Sequence, residues 1–353
     1  MEKIKTALLS YGMSGKVFHA PFLHANPKFE FVGSWERSKK LIQQDYPNTK
    51  SYASFDEVLK DDIDLVIVNT PVETHFEYAK KALLAEKHVV VEKAFTTTVS
   101  EAEELHKLAK SKGLKLSVFQ NRRWDSDFKT VKNIFSKNIL GDLVEAEIHF
   151  DRYNPYLSPK NHKETANPGA GILKDLGPHI IDQALHLFGF PDTLFADVRI
   201  TRDHSVVDDY FDILLYYPTF RVRLKASFFV REMIPSYILH GKKGSFIKQR
   251  GDVQEDELKL GKKPDSKEWG IEPKDKQGIL NTMTKVTSIR ETLTTLDGNY
   301  MDFFDGLYDS IVNNKPEPVS AEDGINVMRI IEAAQQSSNN KQVIEFNLWK
   351  QDS

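Results

Sequence analysis

Cysteine is absent from this 353-residue chain. Its absence excludes disulfides, thiolate nucleophiles and cysteine-based zinc sites, so any metal would rest on histidines and carboxylates. No apolar run approaches the roughly 20 residues that a membrane-spanning helix needs. The opening Met1-Glu2-Lys3 runs directly into Ala7-Leu8-Leu9 without the layout of a secretory signal, and a cytoplasmic protein is expected. A strong charge of one sign is missing too: 48 Lys and Arg face 51 Asp and Glu, a net charge of −3. That balance predicts neither a nucleic-acid footprint nor a disordered acidic tail, leaving a small-molecule partner as the expectation. Internal repeats and low-complexity tracts are also absent.

What is present is an ordinary globular composition, 40% hydrophobic and 28% charged, in a chain longer than a single core usually serves. Two domains are expected, and the texture changes near residue 122. Before it, apolar runs at Ile4–Leu9, Phe29–Trp35, Leu65–Asn69, His88–Glu92 and Leu116–Phe119 alternate with helical-period segments at Phe55–Leu59, Thr74–Leu84 and Val99–Lys110. Such alternation predicts βαβ units and a parallel sheet whose carboxyl ends open on one crevice, lined by Ser10, Glu36, Asn69 and Lys93. After it, Val144, Ala146, Ile148 and Phe150 alternate with Glu145, Glu147, His149 and Asp151, and residues 220–228 repeat the pattern. A period of two predicts half-buried antiparallel strands, which with 194–201, 209–217 and 237–240 build an open sheet. One face of that sheet is expected to pack on helices and the other on a second subunit, giving a homodimer or homotetramer. The charged stretch 249–276 predicts a solvated loop or a flap anchored by Trp269. Ser320 and Asp323 resemble a capping box that opens a final helix.

The first strand ends in Ser10-Tyr11-Gly12-Met13-Ser14-Gly15, the strand-to-helix context of a phosphate-binding G-x-G-x-x-G loop. Ser10 replaces its first glycine, while Gly12 and Gly15 keep the positions for close phosphate approach and close helix packing. Glu36, 21 positions after Gly15, is placed to accept hydrogen bonds from an adenosine ribose, which favours NAD. Arg37 beside it suits a 2′-phosphate instead, which leaves NADP open. Asn69-Thr70-Pro71 closes another strand, and Thr74-His75 begins a helix; alone, these are turn chemistry. Lys93 ends the His88–Glu92 strand, where an ammonium would stabilise a developing alkoxide, with Glu92 to orient it; a surface ion pair is the alternative.

Asp175, His179, Asp182 and His186 stand at offsets 0, 4, 7 and 11, a polar stripe on an apolar segment whose regular helix should begin at Gly177-Pro178. His titrates near neutral pH and is a natural acceptor of a hydroxyl proton, with Asp fixing its tautomer. A metal-holding stripe or a capped interdomain helix are the alternatives. Asn121-Arg122-Arg123-Trp124-Asp125 sits where the textures meet and reads as a polar clamp or an ion-paired hinge.

These pieces in this order resemble the glucose–fructose oxidoreductase/inositol dehydrogenase family, Gfo/Idh/MocA. The likeness is carried by Gly12-Met13-Ser14-Gly15-Lys16-Val17-Phe18-His19, Asn69-Thr70-Pro71, Glu92-Lys93-Ala94, Asn121 to Asp125, Asp175 to Asp182 and Gly324-Ile325-Asn326-Val327, and is greatest to the scyllo-inositol dehydrogenase branch. Ala94 stands where that family usually has proline. The resemblance implies an α/β Rossmann domain over 1–122 and an α+β domain over 123–353, which binds substrate, has an open, mainly antiparallel sheet, oligomerises through it, and sends its last helix back toward the first domain. It implies Lys93, Asp175 and His179 as catalytic residues. Gly12, Met13, Ser14, Gly15, Glu36, Arg37, Asn69, Thr70, Pro71, His75, Glu92, Lys93 and Asn121 are the candidate cofactor contacts. Lys93, Asn121, Arg123, Tyr153, Asp175 and His179 are the candidate substrate contacts, with no metal expected.

The expected activity is NAD(P)-dependent oxidation of a secondary hydroxyl on a cyclic polyol or sugar, leaning to NAD. A dinucleotide-binding sensor without turnover and a metal-dependent hydrolase using Asp175, His179 and Asp182 are the rival classes.

Overall fold

The computed structural model describes residues 2–37, 39–159, 164–283 and 287–346. They form two compact units, each assembled from three stretches of chain: Met1–Trp124, Val253–Gly270 and Asn299–Ile325 in the first, and Asp125–Asp252, Ile271–Gly298 and Asn326–Ser353 in the second.

The first unit is built on six parallel strands: β1 (Ile4–Leu8), β2 (Phe29–Trp35), β3 (Lys50–Tyr52), β4 (Leu65–Val68), β5 (His88–Glu92) and β6 (Leu116–Phe119). Their order in the sheet is β3-β2-β1-β4-β5-β6. The chain runs outward from β1 to β3 and then returns to β4 on the other side of β1, so the switch point lies between β1 and β4. Leu65, Val66, Ile67, Val68, Val89, Val90 and Val91 are fully buried, which is why these strands read as unbroken apolar runs. Five strands stand where their apolar runs predict. β3 went unseen because three edge residues carry no pattern. The helix Val99–Lys112 opens on a Thr98/Glu101 capping box and stops at Gly113, whose φ of +65° is left-handed.

Residues 253–270 are neither a solvated loop nor a flap. They include the helix Gln254–Lys259 and pack within the first unit. Gln254 is fully buried; its side-chain amide donates to the Trp124 carbonyl (3.1 Å), and its oxygen accepts from the Tyr300 amide (2.7 Å) and the Trp269 indole (3.2 Å). A fully satisfied buried amide fixes the segment, a fact its charged surface residues conceal. The Trp269 ring lies 6.3 Å from Phe22, inside an aromatic cluster with Phe304 and Tyr300.

The second unit holds a nine-stranded sheet: β7 (Leu143–His149), β8 (Thr193–Arg199), β9 (Tyr210–Tyr216), β10 (Arg221–Ser227), β11 (Tyr237–Gly241), β12 (Gly244–Lys248), β13 (Gly278–Met283), β14 (Ser288–Leu293) and β15 (Ile344–Glu345), in the order β14-β13-β12-β11-β7-β10-β9-β8-β15. Ala146, Ile148, Val222, Leu224 and Ala226 fill the covered face. On the opposite face Arg221 reaches Glu145 at 3.1 Å, and the Arg223 Nε reaches Asp212 at 2.9 Å. The period of two predicts this division. It does not predict partners: β7 and β10, expected to be antiparallel, run parallel, with Arg221 opposite Glu145 and Lys225 opposite His149. The chain leaves β7 through a long crossover containing the helix Gly177–Phe188, lays down β8, β9 and β10 as an antiparallel series, and brings β10 back beside β7. β12 to β14 extend the sheet, and β14 is too exposed to have shown a core-facing alternation. The final helix, Ala321–Asn340, opens on the expected reciprocal pair: the Ser320 amide donates to Asp323 (2.8 Å) and the Asp323 amide to the Ser320 hydroxyl (3.1 Å). Among the described residues no helix is long and apolar enough to cross a membrane.

His149 lies buried near the end of β7 between Asp151 (3.2 Å) and Glu147 (2.8 Å). Burial by itself would depress the imidazole, but the two carboxylates outweigh it and raise His149 above its ordinary value of 6.5. A raised folded value means that the folded chain holds the proton more tightly than the unfolded one. The stabilisation is complete below the unfolded value and disappears as pH rises through the folded one. Thermal unfolding followed between about pH 6 and pH 9 should therefore show a midpoint that falls with pH, and His149→Gln should flatten the slope. An unchanged slope in the variant removes His149 from the account.

Candidate active site

In the first unit, the loops after β1, β2 and β4 surround a cavity of about 570 Å³ at the switch point. The loop after β1 has the form a phosphate cradle requires. A Cβ on Gly15 would fall 2.2 Å from the Ser10 carbonyl oxygen and 2.9 Å from the Asn69 amide nitrogen, so only glycine lets the following helical residues sit this close to the strand. At Gly12 the nearest atom to such a Cβ is the Ser10 hydroxyl at 3.4 Å, which leaves that side of the loop open. Ser10 supplies what the missing first glycine would have: its hydroxyl accepts the Gly12 amide at 3.2 Å and closes the turn. Residues 13–25 follow as a helix, with Gly15–His19 as a π turn.

Asn69 is placed beneath this loop. Its amide nitrogen donates to the Ser10 carbonyl at 2.7 Å, and its carbonyl oxygen is buried without a protein partner. A buried orphan acceptor under an open glycine loop fits a site completed by a bound molecule with hydrogen-bond donors. Met13, Glu36, Arg37, Thr70 and Pro71 line the cavity with Gly12, whereas Asn69, His75, Glu92 and Lys93 are not among its lining residues. His75 is enclosed, its nitrogens 2.9 Å from the Ala94 carbonyl and 2.8 Å from that of Thr70. Burial depresses its imidazole despite those carbonyls. It therefore ties the loop after β4 to the loop after β5 instead of facing the cavity.

Glu92 and Lys93 close β5. Glu92 accepts from His19 at 2.8 Å and from the Ser14 hydroxyl, and its second oxygen accepts the Lys93 amide at 3.2 Å. Burial would raise this carboxyl, but the bonds from His19 and Ser14 and the positive charge of Lys93 hold it below the usual carboxylate range. The Lys93–Ala94 peptide is cis. His19 is the residue that sequence reasoning left without a role. It is fully buried, and its position in the run from Gly12 was the only signal.

Asn121, Arg122 and Arg123 form a short 3-10 turn after β6. Asn121 and Arg123 are buried; Arg122 pairs with Glu255 at 2.8 Å and Arg123 with Asp323 at 3.4 Å. All four residues belong to the first unit, so these ion pairs lie inside it, whereas an interdomain hinge would place them between domains.

In the second unit a short helix, Ile172–Asp175, precedes the helix Gly177–Phe188, whose regular turns begin at Gly177-Pro178 as predicted. Asp175 is half-buried, and His179 and Asp182 are buried. The His179 ring lies 6.3 Å from Phe150, which also carries the Arg250 guanidinium at 4.2 Å and that of Arg152 at 5.2 Å. His186, the last member of the stripe, faces Lys132 at 2.7 Å. Tyr153 is half-exposed, forms a β-bridge with Phe229 and carries the Arg231 guanidinium 5.5 Å over its ring. Arg250 and Phe229 were invisible to the sequence pattern because only the tertiary fold brings them beside β7 and its extension.

A six-stranded sheet in Rossmann order with an open glycine loop at its switch point, in a chain that also holds a mixed and mostly antiparallel sheet, has the architecture of the dinucleotide-binding class. The chain belongs to the Gfo/Idh/MocA family: residues 4–120 match the model of the oxidoreductase family's NAD-binding Rossmann fold, and residues 132–346 that of its C-terminal alpha/beta domain. It is 38% identical over 345 residues to the scyllo-inositol 2-dehydrogenase (NADP(+)) IolW of Bacillus subtilis, covering 98% of this chain and 96% of that protein. It is 38% identical over 341 residues to the uncharacterized oxidoreductase YdgJ of Escherichia coli, covering 96% and 98%. The crystal structure of an oxidoreductase from Bacillus cereus superposes with a TM-score of 0.91 at 32% identity, covering 98% of this chain and 99% of that one.

Proposed function

We propose that this protein is an NAD(P)-dependent dehydrogenase acting on a secondary hydroxyl of a cyclic polyol or sugar, with dinucleotide binding in the first unit and substrate binding in the second. The observation that carries the reading is Lys93, set at the carboxyl end of β5 next to a carboxylate that His19 and Ser14 hold ionised. The relative named a scyllo-inositol 2-dehydrogenase supports the substrate class.

The cradle fits a dinucleotide: Gly12 leaves room for a pyrophosphate, and Asn69 offers a buried acceptor beneath the loop. A bound nicotinamide would supply the acceptor for the hydride that leaves the carbinol carbon. In this reading His179 takes the hydroxyl proton, Asp175 orients the imidazole, and the Lys93 ammonium stabilises the negative charge growing on oxygen. Met13, Ser14, Thr70 and Pro71 flank the cofactor, and Asn121, Arg123 and Tyr153 are the candidates for gripping substrate hydroxyls. A cytoplasmic setting and assembly of two or four copies through the open face of the second sheet complete the proposal.

The test is absorbance of reduced cofactor during incubation with a panel of inositols, aldoses and their lactones, in both directions. Turnover of at least one cyclic polyol or sugar is expected. Tight dinucleotide binding with no turnover across the panel would favour the sensor reading instead.

A further inference from the structure

We infer that Arg37 and Lys39, and not Glu36, read the adenosine ribose, so that this chain selects a dinucleotide carrying a 2′-phosphate. The inference rests on the dinucleotide reading above and refines it.

The acid at the end of β2 is the residue expected to bind a free ribose diol, but its acceptors are turned into its own chain. Glu36 is 7% exposed. One carboxylate oxygen accepts the Leu41 amide at 2.7 Å; the other accepts the Ile42 amide at 3.1 Å and faces the Ser51 hydroxyl at 3.4 Å. These bonds turn the chain back over the carboxylate at Leu41 and Ile42 and satisfy the first amides of the helix Ile42–Asp45. A diol would compete for these oxygens with backbone amides that have no other partner among the described residues, which weakens the bonds it could gain.

The same fold-back presents Arg37 and Lys39 to the cavity. Both are exposed, both line it, and neither has a hydrogen bond or ion pair among the described residues. Neighbouring lysines are committed: Lys16 pairs with Asp45 at 2.8 Å, and Lys40 donates to the Tyr52 carbonyl at 3.1 Å. The acids lining the cavity are Glu36, already satisfied, and Glu73. Trp35 and Tyr78 give the cavity aromatic walls, with ring centres 5.6 Å apart. Two uncommitted cations beside an aromatic wall suit a phosphate monoester on an adenosine, the guanidinium binding two of its oxygens at once.

The experiment is calorimetric titration of the full chain with NADP+ and with NAD+, for the parent and for Arg37→Ala, Lys39→Ala and Glu36→Gln. NADP+ should bind about 10- to 100-fold tighter than NAD+. Arg37→Ala should remove most of that difference by weakening NADP+ alone, Lys39→Ala should remove a smaller part, and Glu36→Gln, which loosens the fold-back that presents them, should weaken NADP+ more than NAD+. Equal or tighter binding of NAD+, or a loss confined to NAD+ in Glu36→Gln, overturns the inference and leaves the dehydrogenase reading standing. Failure of both dinucleotides to bind overturns the two together.

Discussion

Lys93→Ala should leave a folded protein that still binds dinucleotide but turns over its substrate about 10²- to 10⁴-fold more slowly, with the loss in kcat. The ammonium interacts most strongly with an oxygen that has become an alkoxide, so its removal costs transition-state stabilisation more than ground-state binding. Lys93 is not among the residues that line the cavity beside the loop at Gly12 and Gly15. Dinucleotide affinity should accordingly change by no more than about threefold. Lys93→Arg keeps the charge but replaces a compact ammonium with a planar fork, and should recover only a small part of the rate. Steady-state kinetics on the best substrate of the panel, paired with calorimetric titration of the cofactor, provide the check. Unchanged kcat in Lys93→Ala would take the lysine out of the chemistry, and lost cofactor binding with unchanged kcat would make it a cofactor ligand alone.

The largest expected effect on stability lies in the second unit. Lys248 and Glu272 are an ion pair with wholly buried side chains, 2.5 Å apart. Both members have further partners: Lys248 also donates to the Lys276 carbonyl at 2.9 Å, and Glu272 accepts the Ser126 hydroxyl at 3.0 Å. Burial pushes the Glu272 carboxyl upward while Lys248 pulls it back. Lys248→Met strands that carboxylate and should destabilise the protein by about 3–5 kcal/mol, read from the denaturant midpoint. The double variant Lys248→Met/Glu272→Leu removes both charges from the interior and should recover at least about half of the loss. A double variant as unstable as the single would mean that the pair contributes through packing instead of charge.

Much of the first unit is legible without coordinates because its strands are buried on both faces. Unbroken, β-branched runs such as Leu65–Val68 and Val89–Val91 are the pattern that such burial produces. The glycine loop is legible for a similar reason: its spacing reports a local close approach, and the 2.2 Å that separates a Cβ on Gly15 from the Ser10 carbonyl is that constraint in three dimensions. Residues 249–276 are the opposite case. Their surface is charged and aperiodic, and what holds part of them is one buried amide, Gln254, whose partners Trp124 and Tyr300 lie far away in the chain. Glu36 shows a subtler limit. Its position after β2 was readable, but the amides of Leu41 and Ile42 that occupy it belong to a fold-back no periodicity announces.

The amino-acid order by itself determined the period of the well-buried strands, the ends of several helices, the glycine loop and the absence of thiol chemistry, which are set by residue type or by contacts between residues close along the chain. Tertiary structure alone decided that β7 and β10 run parallel, that 253–270 joins the first unit, that His19 supports Glu92, and that Glu36 accepts the amides of Leu41 and Ile42 while Arg37 and Lys39 line the cavity. The reason is physical: pairing partners and hydrogen-bond acceptors are chosen by proximity in space, and a local pattern records which side of a strand is buried but not what buries it.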